Sequence, residues 1–511
     1  TQSTWGFTEQ LLHPIGIPCT MWLYTTIVFL LIPTLSWLIF FARRKRSLNL
    51  PPSPPKIPIF GNLLQLGALP HRTLKSLADT HGPIMLLHLG SKPAFVVSSS
   101  DLAREIFENH DIAFSDRVTT AISEKLLYNR KDLTATPYSK YWREMRAIFV
   151  TRLLSSNKVQ RFRFVREEEV SNMISKIEAA GAGSNPVNLS NLFSNFTNDV
   201  VCRVAFGKRQ EAEKNKSMQA IDDASQLLSF IDIAEYVPWL AWLNHFNGKK
   251  SWLGKVFKDL DAIMDQILDE HMITERKEDE KDFVDILLEA RNEGGSVDKV
   301  SVKGMIMDVF FAGTETTKTT MEWIIVELLR NPETMKKVKD EIRGLTGDKK
   351  VANEDDLRTL TYTKAVIKET MRMHPAIPII PLRKARERVN IRGYEIEKNA
   401  ALIVNAWAIG MDPTVWDKPE DFRPERFMDS GVDYLGNDYD FIPFGAGRRR
   451  CPGIAFTASV IEIGIATLLK NFDISWPDGK AVDVSETGGL TVHTKSPVVV
   501  LAHPLTSSLM V

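Results

Sequence analysis

The stretch Phe441–Gly453, FIPFGAGRRRCPG, decides how the rest of the chain is read. Three glycines, three arginines, two prolines and one cysteine crowd into it, where a strand pattern gives way to a helical one. Gly445 and Gly447 relax backbone sterics and suit a tight loop whose main chain approaches something flat and large. Cys451 stands just before the apolar run IAFTASVIEIGIATLL, near a helix N-terminus, where the dipole and open N–H groups favour a thiolate. The plainer alternative is a buried cysteine in a Gly-rich turn, without chemistry.

Upstream, Ser301–Pro332 reads as one long helix ending at Asn331-Pro332. In its middle stands Ala312-Gly313-Thr314-Glu315-Thr316-Thr317, small and polar inside an apolar pattern. Gly313 costs the helix up to about 1 kcal/mol against Ala. Such a breach is expected where a ligand approaches the backbone and a hydroxyl opens the hydrogen-bond ladder. A solvent-facing polar patch is the alternative, and Phe310, Phe311 and Trp323 weigh against it. In KYWREMRAIF, Trp142 and Arg146 are four apart and share a helix face. An indole N–H and an Arg fork on one face suit a carboxylate, although the motif is common on plain amphipathic helices. Glu369 and Arg372 form an i,i+3 pair, followed by His374-Pro375 and later by FRPERF, Phe422–Phe427. PAIPIIPLR, Pro375–Arg383, reads as extended and apolar. VNIRGYEI and AALIVNAWAI add short strands. Residues 82–99 read as a hairpin around Gly90-Ser91, and helical patterns dominate from Asp101 to about Leu345.

The spacing Phe444-x-x-Gly447-x-Arg449-x-Cys451-x-Gly453 resembles the haem-binding signature of the cytochrome P450 family. AGTETT resembles that family's oxygen-activation motif, and Glu369-x-x-Arg372 with Pro424-Glu425-Arg426-Phe427 resembles its paired structural motifs. The likeness spans Pro51 to the C-terminus, with four motifs in family order. PPSPP, AGTETT and FGAGRRRCPG together look like a plant microsomal A-type member of the clan that oxidises terpenoids, alkaloids and phenolics. The resemblance implies a mainly α fold with small β-sheets and a haem b whose axial ligand is Cys451. It implies that Arg449, Trp142, Arg146 and Arg383 hold the propionates, with Phe444, Gly447 and Gly453 shaping the cofactor loop. Glu315 and Thr316 would supply protons for oxygen activation. Glu369, Arg372 and Arg426 would form a buried ion network bracing the cysteine loop. Phe310, Ala312, Ile379, Leu382 and Leu490 are expected on the substrate wall. Electrons would come from a membrane-bound NADPH-dependent flavoprotein reductase, docking where Arg448, Arg450 and Arg143 offer positive charge. A haem-thiolate isomerase or dehydratase needs neither dioxygen nor reductase, and the intact Glu315-Thr316 pair argues against it. A non-catalytic haem-binding scaffold has no use for both proton relay and thiolate.

The 511 residues are 44% apolar and 25% charged, an ordinary globular composition. Lys plus Arg equals Asp plus Glu at 64 each, so no global charge steers the chain toward nucleic acid. Three cysteines make no disulfide framework and fit a reducing compartment. Leu23–Ala42 is an apolar stretch of 20 residues, long enough to cross a bilayer core. Arg43-Arg44-Lys45-Arg46 follows and places the rest in the cytosol by the positive-inside rule. Residues 1–42 are therefore expected to be a signal anchor in the endoplasmic reticulum membrane. Residues 43–58 are expected to be a basic stop and Pro-rich strut, and 59–511 the catalytic domain. Tyr236, Trp239, Trp242, Phe246 and Trp252 make 234–254 unusually aromatic. Core packing is the default for them, and a membrane-interface surface the second reading. Charged ERKEDEKD, Glu275–Asp282, reads as a solvated loop.

Overall fold

The computed structural model describes residues 31, 32, 34 and 49–505, apart from 181–184, 209–213, 230–231, 246–247, 275, 347–349 and 478–482. The expected anchor lies outside the described residues save Leu31, Ile32 and Thr34, which are helical. The elements that build the site are, in chain order, α1 (Pro70–His81), β1 (Ile84–Leu89), β2 (Lys92–Val97), β3 (Asp116–Arg117), α2 (Lys140–Ala147), α3 (Leu189–Phe206), α4 (Lys299–Arg330), α5 (Thr361–Met373), β4 (Ile379–Lys384), β5 (Ala401–Asn405) and α6 (Ile454–Asn471).

Helix α4 is the axis. A capping box starts it: Ser301 N–H donates to Asp298 Oδ1 at 2.7 Å, and Asp298 N–H to Ser301 Oγ at 3.3 Å. It stops where Asn331 Nδ2 donates to Glu327 O at 2.8 Å and Pro332 follows. Its 32 residues span about 48 Å. Met305, Ile306, Phe310, Trp323, Ile324 and Leu328 point in different directions and are all buried, as in a helix enclosed by protein. Helix α3 lies so close that a Cβ on Gly313 would meet Val201 Cγ2 at 3.0 Å. The expected opening of the helix at Gly313 is not there: α4 is α-helical throughout, and the glycine serves this close packing. Thr316 and Thr317 bond back to the i−4 carbonyls, which keeps the polar run inside a continuous helix.

The five-stranded sheet has the order β1-β2-β5-β4-β3, with β2 and β5 parallel and the other pairs antiparallel. The β1–β2 hairpin turns at Gly90-Ser91 as its sequence requires. Between Ile380 and Arg383 the β4–β5 register shifts, and this irregularity carries Arg383 into the interior. Residues 389–391 and 394–396 form a second small hairpin. No strand precedes the cysteine loop, against expectation. Phe441 N–H closes a turn on Asp438 O and Gly445 N–H another on Ile442 O, so successive turns take up the donors a ladder would need.

Two further expectations shift. Among the described residues of the Pro-rich segment, Pro51 and Pro54 are buried, and Leu86 N–H donates to Pro52 O at 2.8 Å. The strut is thus clipped onto β1. Trp239 and Trp242 are more than half exposed, which removes them from the core and favours the surface reading. In the charged loop after α-helical Lys249–Ile273, Arg276 reaches Asp282 and Asp285, so part of that loop is internally paired. One described helix, α6, is long and apolar enough to cross a membrane, and 67% of it is buried as a core helix.

Candidate active site

The cysteine loop closes on itself, with Cys451 N–H donating to Phe444 O at 3.1 Å. Gly447 sits at φ 69°, and a Cβ there would lie 2.5 Å from Asp111 Oδ1, so the position requires glycine. The same Asp111 accepts Arg448 N–H at 2.9 Å and Arg383 Nη1 at 2.8 Å. Arg383 also donates to Ala446 O at 2.7 Å and lies over Phe107. One buried acid and one buried arginine therefore pin both ends of Gly445–Arg448. Cys451 Sγ accepts the Gly453 N–H at 3.3 Å. Burial pushes the thiol up, while that N–H and the guanidiniums of Arg146 and Arg450 pull it back. The helix start alone does not make a thiolate here. A cation bound at sulfur would.

Cys451 opens onto a cavity of about 660 Å³. Across it lies one face of α4, with Val309, Ala312, Gly313, Thr316 and Thr320. Of the residues expected on the substrate wall, Ala312, Ile379, Leu382 and Leu490 line this cavity and Phe310 does not. Phe310 lies one helical step off that face and packs on Phe206 at 5.7 Å between ring centroids, while Phe311 takes its place on the wall. Glu315 also reaches the cavity. The Thr316 hydroxyl donates to Ala312 O at 2.6 Å, and the Glu315 carboxylate accepts from Lys318 Nζ at 3.3 Å. The two side chains thus share a wall but not a bond.

Guanidiniums cluster on the cysteine side. Arg449 donates to Ser115 O at 2.7 Å, and also to Leu133 O and Thr136 O. It stacks on Trp142 at 4.5 Å, whose indole N–H donates to Leu133 O at 3.0 Å. Burial and the nearby Arg383 pull Arg449 down to about 10. Arg146 makes no hydrogen bond or ion pair among the described residues, and burial lowers its pKa. Sequence reasoning missed Arg117. It lines the cavity fully buried, its Nε donates to Thr134 O at 3.1 Å, and burial plus the charges of Arg449 and Arg383 pull its pKa far down. It also missed two buried acids beside these cations. Asp308 is raised well above its usual range by burial and by Asp132, and Asp132 is raised to about 6. Neither acid forms a direct ion pair with Arg117, Arg146 or Arg449 among the described residues, although Asp308 lines the same cavity. Buried unpaired charge is costly. A flat apolar group carrying two carboxylates would relieve it, and Cys451 offers the sulfur to fix such a group's metal. The donor set fits haem.

Glu369, Arg372 and Arg426 come together in the interior. Arg372 holds Glu369 through two bonds of 2.8 and 2.9 Å, and Arg426 Nε adds a third at 3.0 Å. Both guanidiniums lie over the Trp416 ring, which meets Phe427 in a tilted contact at 5.5 Å, and Phe427 meets Phe441 of the cysteine loop at 5.0 Å.

Fold and site together define a haem-thiolate oxidoreductase. A family model for Cytochrome P450 matches residues 51–501, and the chain belongs to the cytochrome P450 family of monooxygenases. It is 46% identical to Cytochrome P450 736A117 of Prunus mume, over 94% of this chain and 95% of that one. It is 43% identical to norfluorocurarine oxidase of a Strychnos species, over 93% of this chain and 97% of the relative. Tabersonine/lochnericine 19-hydroxylase of Catharanthus roseus is 39% identical, over 90% and 93%. A zebra fish cytochrome P450 solved with abiraterone superposes with a TM-score of 0.73 at 26% identity, covering 85% of this chain and all of that one.

Proposed function

We propose that the protein is an NADPH- and dioxygen-dependent monooxygenase that oxidises a largely apolar small molecule of plant specialised metabolism, a terpenoid, alkaloid or phenolic. The observation that carries this is the placing of Cys451 and the Glu315–Thr316 pair on facing walls of one apolar cavity. Relatives named for oxidising and hydroxylating alkaloids support the substrate class.

When bound, haem supplies the oxygen chemistry. Cys451 Sγ would hold its iron, with the Gly453 N–H and Arg146 stabilising charge on sulfur. Arg117, Arg146 and Arg449 would bind its carboxylates, and the Trp142 indole, whose single N–H is held by Leu133 O, would have to turn to join them. Arg383 is not on the cavity wall and contributes by fastening the loop to Asp111 and Ala446 O. Val309, Phe311, Ile379 and Leu382 exclude water and hold an apolar substrate by burial. Thr316 Oγ1 turns from Ala312 O to hold a water in the cavity, and Glu315 replenishes its proton. A membrane-bound flavoprotein reductase would dock on the cysteine side, near exposed Arg143 and Arg448 and part-buried Arg450. An N-terminal helix would hold the protein on the endoplasmic reticulum.

The test is turnover of a terpenoid, alkaloid and phenolic library by the full chain with a plant reductase, under labelled dioxygen. Expected is NADPH-dependent product carrying one labelled oxygen. Conversion that proceeds without NADPH, or product free of label, overturns the reading.

A further inference from the structure

One part of the cavity wall is a hairpin too short to hold itself. Its strands, Glu486–Thr487 and His493–Thr494, pair over two residues each. A two-stranded ribbon of that length is not stable alone in water. Its tip nevertheless carries Gly489, Leu490, Thr491 and Val492 to the cavity, so contacts from outside decide where the tip stands. Gly488 presses on the chain just ahead of α1, where a Cβ would collide with Ala68 O. Leu490 N–H donates to Ser229 Oγ at 2.8 Å. Val492 N–H donates to Ala376 O at 2.9 Å, which joins the tip to the wall residues 376–379. The carbonyl of the same Val492 accepts the indole N–H of Trp323 at 3.0 Å.

Trp323 is fully buried on α4, where an indole N–H needs an acceptor, and Val492 O supplies it. Its ring lies flat on His374, with centroids 4.0 Å apart and planes 3° from parallel. His374 follows α5 and is itself fixed, its Nε2–H donating to Glu327 Oε1 at 2.9 Å. Glu327 stands four residues after Trp323, on the same side of α4. Arg330 Nη1 at 2.9 Å and Asn331 Nδ2 at 3.3 Å hold that carboxylate in turn. Trp407 secures the chain beyond His374, donating its indole N–H to Met373 O at 3.0 Å and its backbone N–H to Pro378 O at 3.2 Å. One side of α4 thus references both wall segments, 376–379 and 489–492.

We infer that Trp323 is a positioning residue that sets substrate fit: its indole N–H, on a ring held flat by His374, fixes where residues 489–492 stand in the cavity. The inference rests on the reading that this cavity holds substrate beside Cys451. Trp323 does not line the cavity and acts through Val492. A hydrogen bond suits this task better than packing does, because it fixes a direction as well as a distance.

The experiment uses the full-length haem-loaded protein and two probes that ligate ferric haem iron through nitrogen, imidazole and 4-phenylimidazole, read by the Soret shift. Imidazole is too small to press on the wall, and the phenyl group of the second probe reaches into the cavity. Trp323→Phe keeps a flat ring on His374 and removes the N–H. It is expected to raise the dissociation constant of 4-phenylimidazole by about threefold or more and to leave that of imidazole at the parent value. Amide hydrogen exchange over 488–492 should become about fivefold faster or more, while α6, which also packs on α4, keeps the parent rate. His374→Ala frees the ring and is expected to move both readings the same way. A merely structural tryptophan would loosen α6 as much as the tip, or weaken both probes alike, and either result overturns the inference. Unchanged exchange at the tip, or an unchanged dissociation constant for 4-phenylimidazole, does the same. If Trp323→Phe fails to fold, the two readings on His374→Ala decide. If imidazole leaves the parent's Soret band where it was, the cavity reading beneath the inference fails, and the inference falls with it.

Discussion

Thr316 donates its hydroxyl proton to Ala312 O, four residues back on α4, at 2.6 Å. A hydroxyl so placed can rotate to the cavity without breaking the helix, because the carbonyl also belongs to the i→i−4 ladder. General acid work of this kind is typically worth about a hundredfold or more. Thr316→Ala is therefore expected to bind haem and substrate and to consume NADPH, while product per NADPH falls at least about tenfold and hydrogen peroxide accumulates. A ratio equal to the parent's would make Thr316 a helix residue only. Cys451 is argued from the other wall. Its thiol is pushed up by burial, so a bound cation is what would make it a thiolate. Cys451→Ala should lose the strongly red-shifted Soret band of the reduced carbon monoxide adduct while keeping a cooperative thermal transition. These two residues were readable from short motifs because their chemistry allows few substitutes. Arg117 was not, since a single arginine in AFSDRV has no spacing partner and its role comes from burial beside Arg449. Phe310 was misplaced by one helical step, as a run of two phenylalanines does not reveal which faces the cavity.

Between elements, ion pairs do what apolar packing cannot, holding α5 and the loops around the cysteine in one register. Arg372 and Glu369 are only 1% and 0% exposed, and Gly410 O and Pro419 O accept further Arg372 bonds at 2.7 and 2.8 Å. Removing Arg372 leaves the buried Glu369 charge paired with Arg426 alone, and breaking a buried pair in this way costs about 3–5 kcal/mol. Arg372→Met should thus unfold at markedly lower denaturant and lose haem, and Glu369→Gln added to it should restore part of the stability. A second pair sits at the rim of the cavity, where Glu486 accepts from Arg72 at 2.6 and 2.8 Å and lies 3.3 Å from His71 of α1. Burial works against this carboxylate, yet those bonds hold it at about 2, below its ordinary 4.5. A carboxyl whose folded pKa is depressed stabilises the protein above its unfolded pKa and loses that effect as pH falls. The loss in melting temperature caused by Glu486→Gln should be full at neutral pH and shrink as pH drops from 4.5 towards 2, followed by calorimetry. The Glu369–Arg372–Arg426 set was readable because two motifs carry it. The Arg72–Glu486 pair, more than four hundred positions apart, left no local trace.

At the scale of the whole molecule, helix content, the hairpin and the long central helix followed from apolar periodicity and end signals, which depend on neighbours in sequence. The clipping of the Pro-rich segment to β1 did not, because it depends on which edge the sheet leaves open. That docking fixes where the globule begins. Asn49 Nδ2 donates to Gly393 O at 2.9 Å, and Glu395 N–H to Asn49 O at 2.8 Å. Removing residues 1–46 leaves both of these bonds in place. The truncated chain is expected to retain its red-shifted carbon monoxide spectrum and its melting temperature, and to pass largely from membranes to the supernatant. Trp239 and Trp242, 57% and 56% exposed, present a second apolar surface of the kind that sits at lipid headgroups. If the truncated protein stays on membranes in high salt, charge is not what holds it, and that surface becomes the remaining contact. Replacing both tryptophans by aspartate in the truncated chain should then release it, with sedimentation at high salt as the readout. Retention of that doubly substituted protein would rule out both the N-terminal segment and the tryptophan surface as its membrane contact.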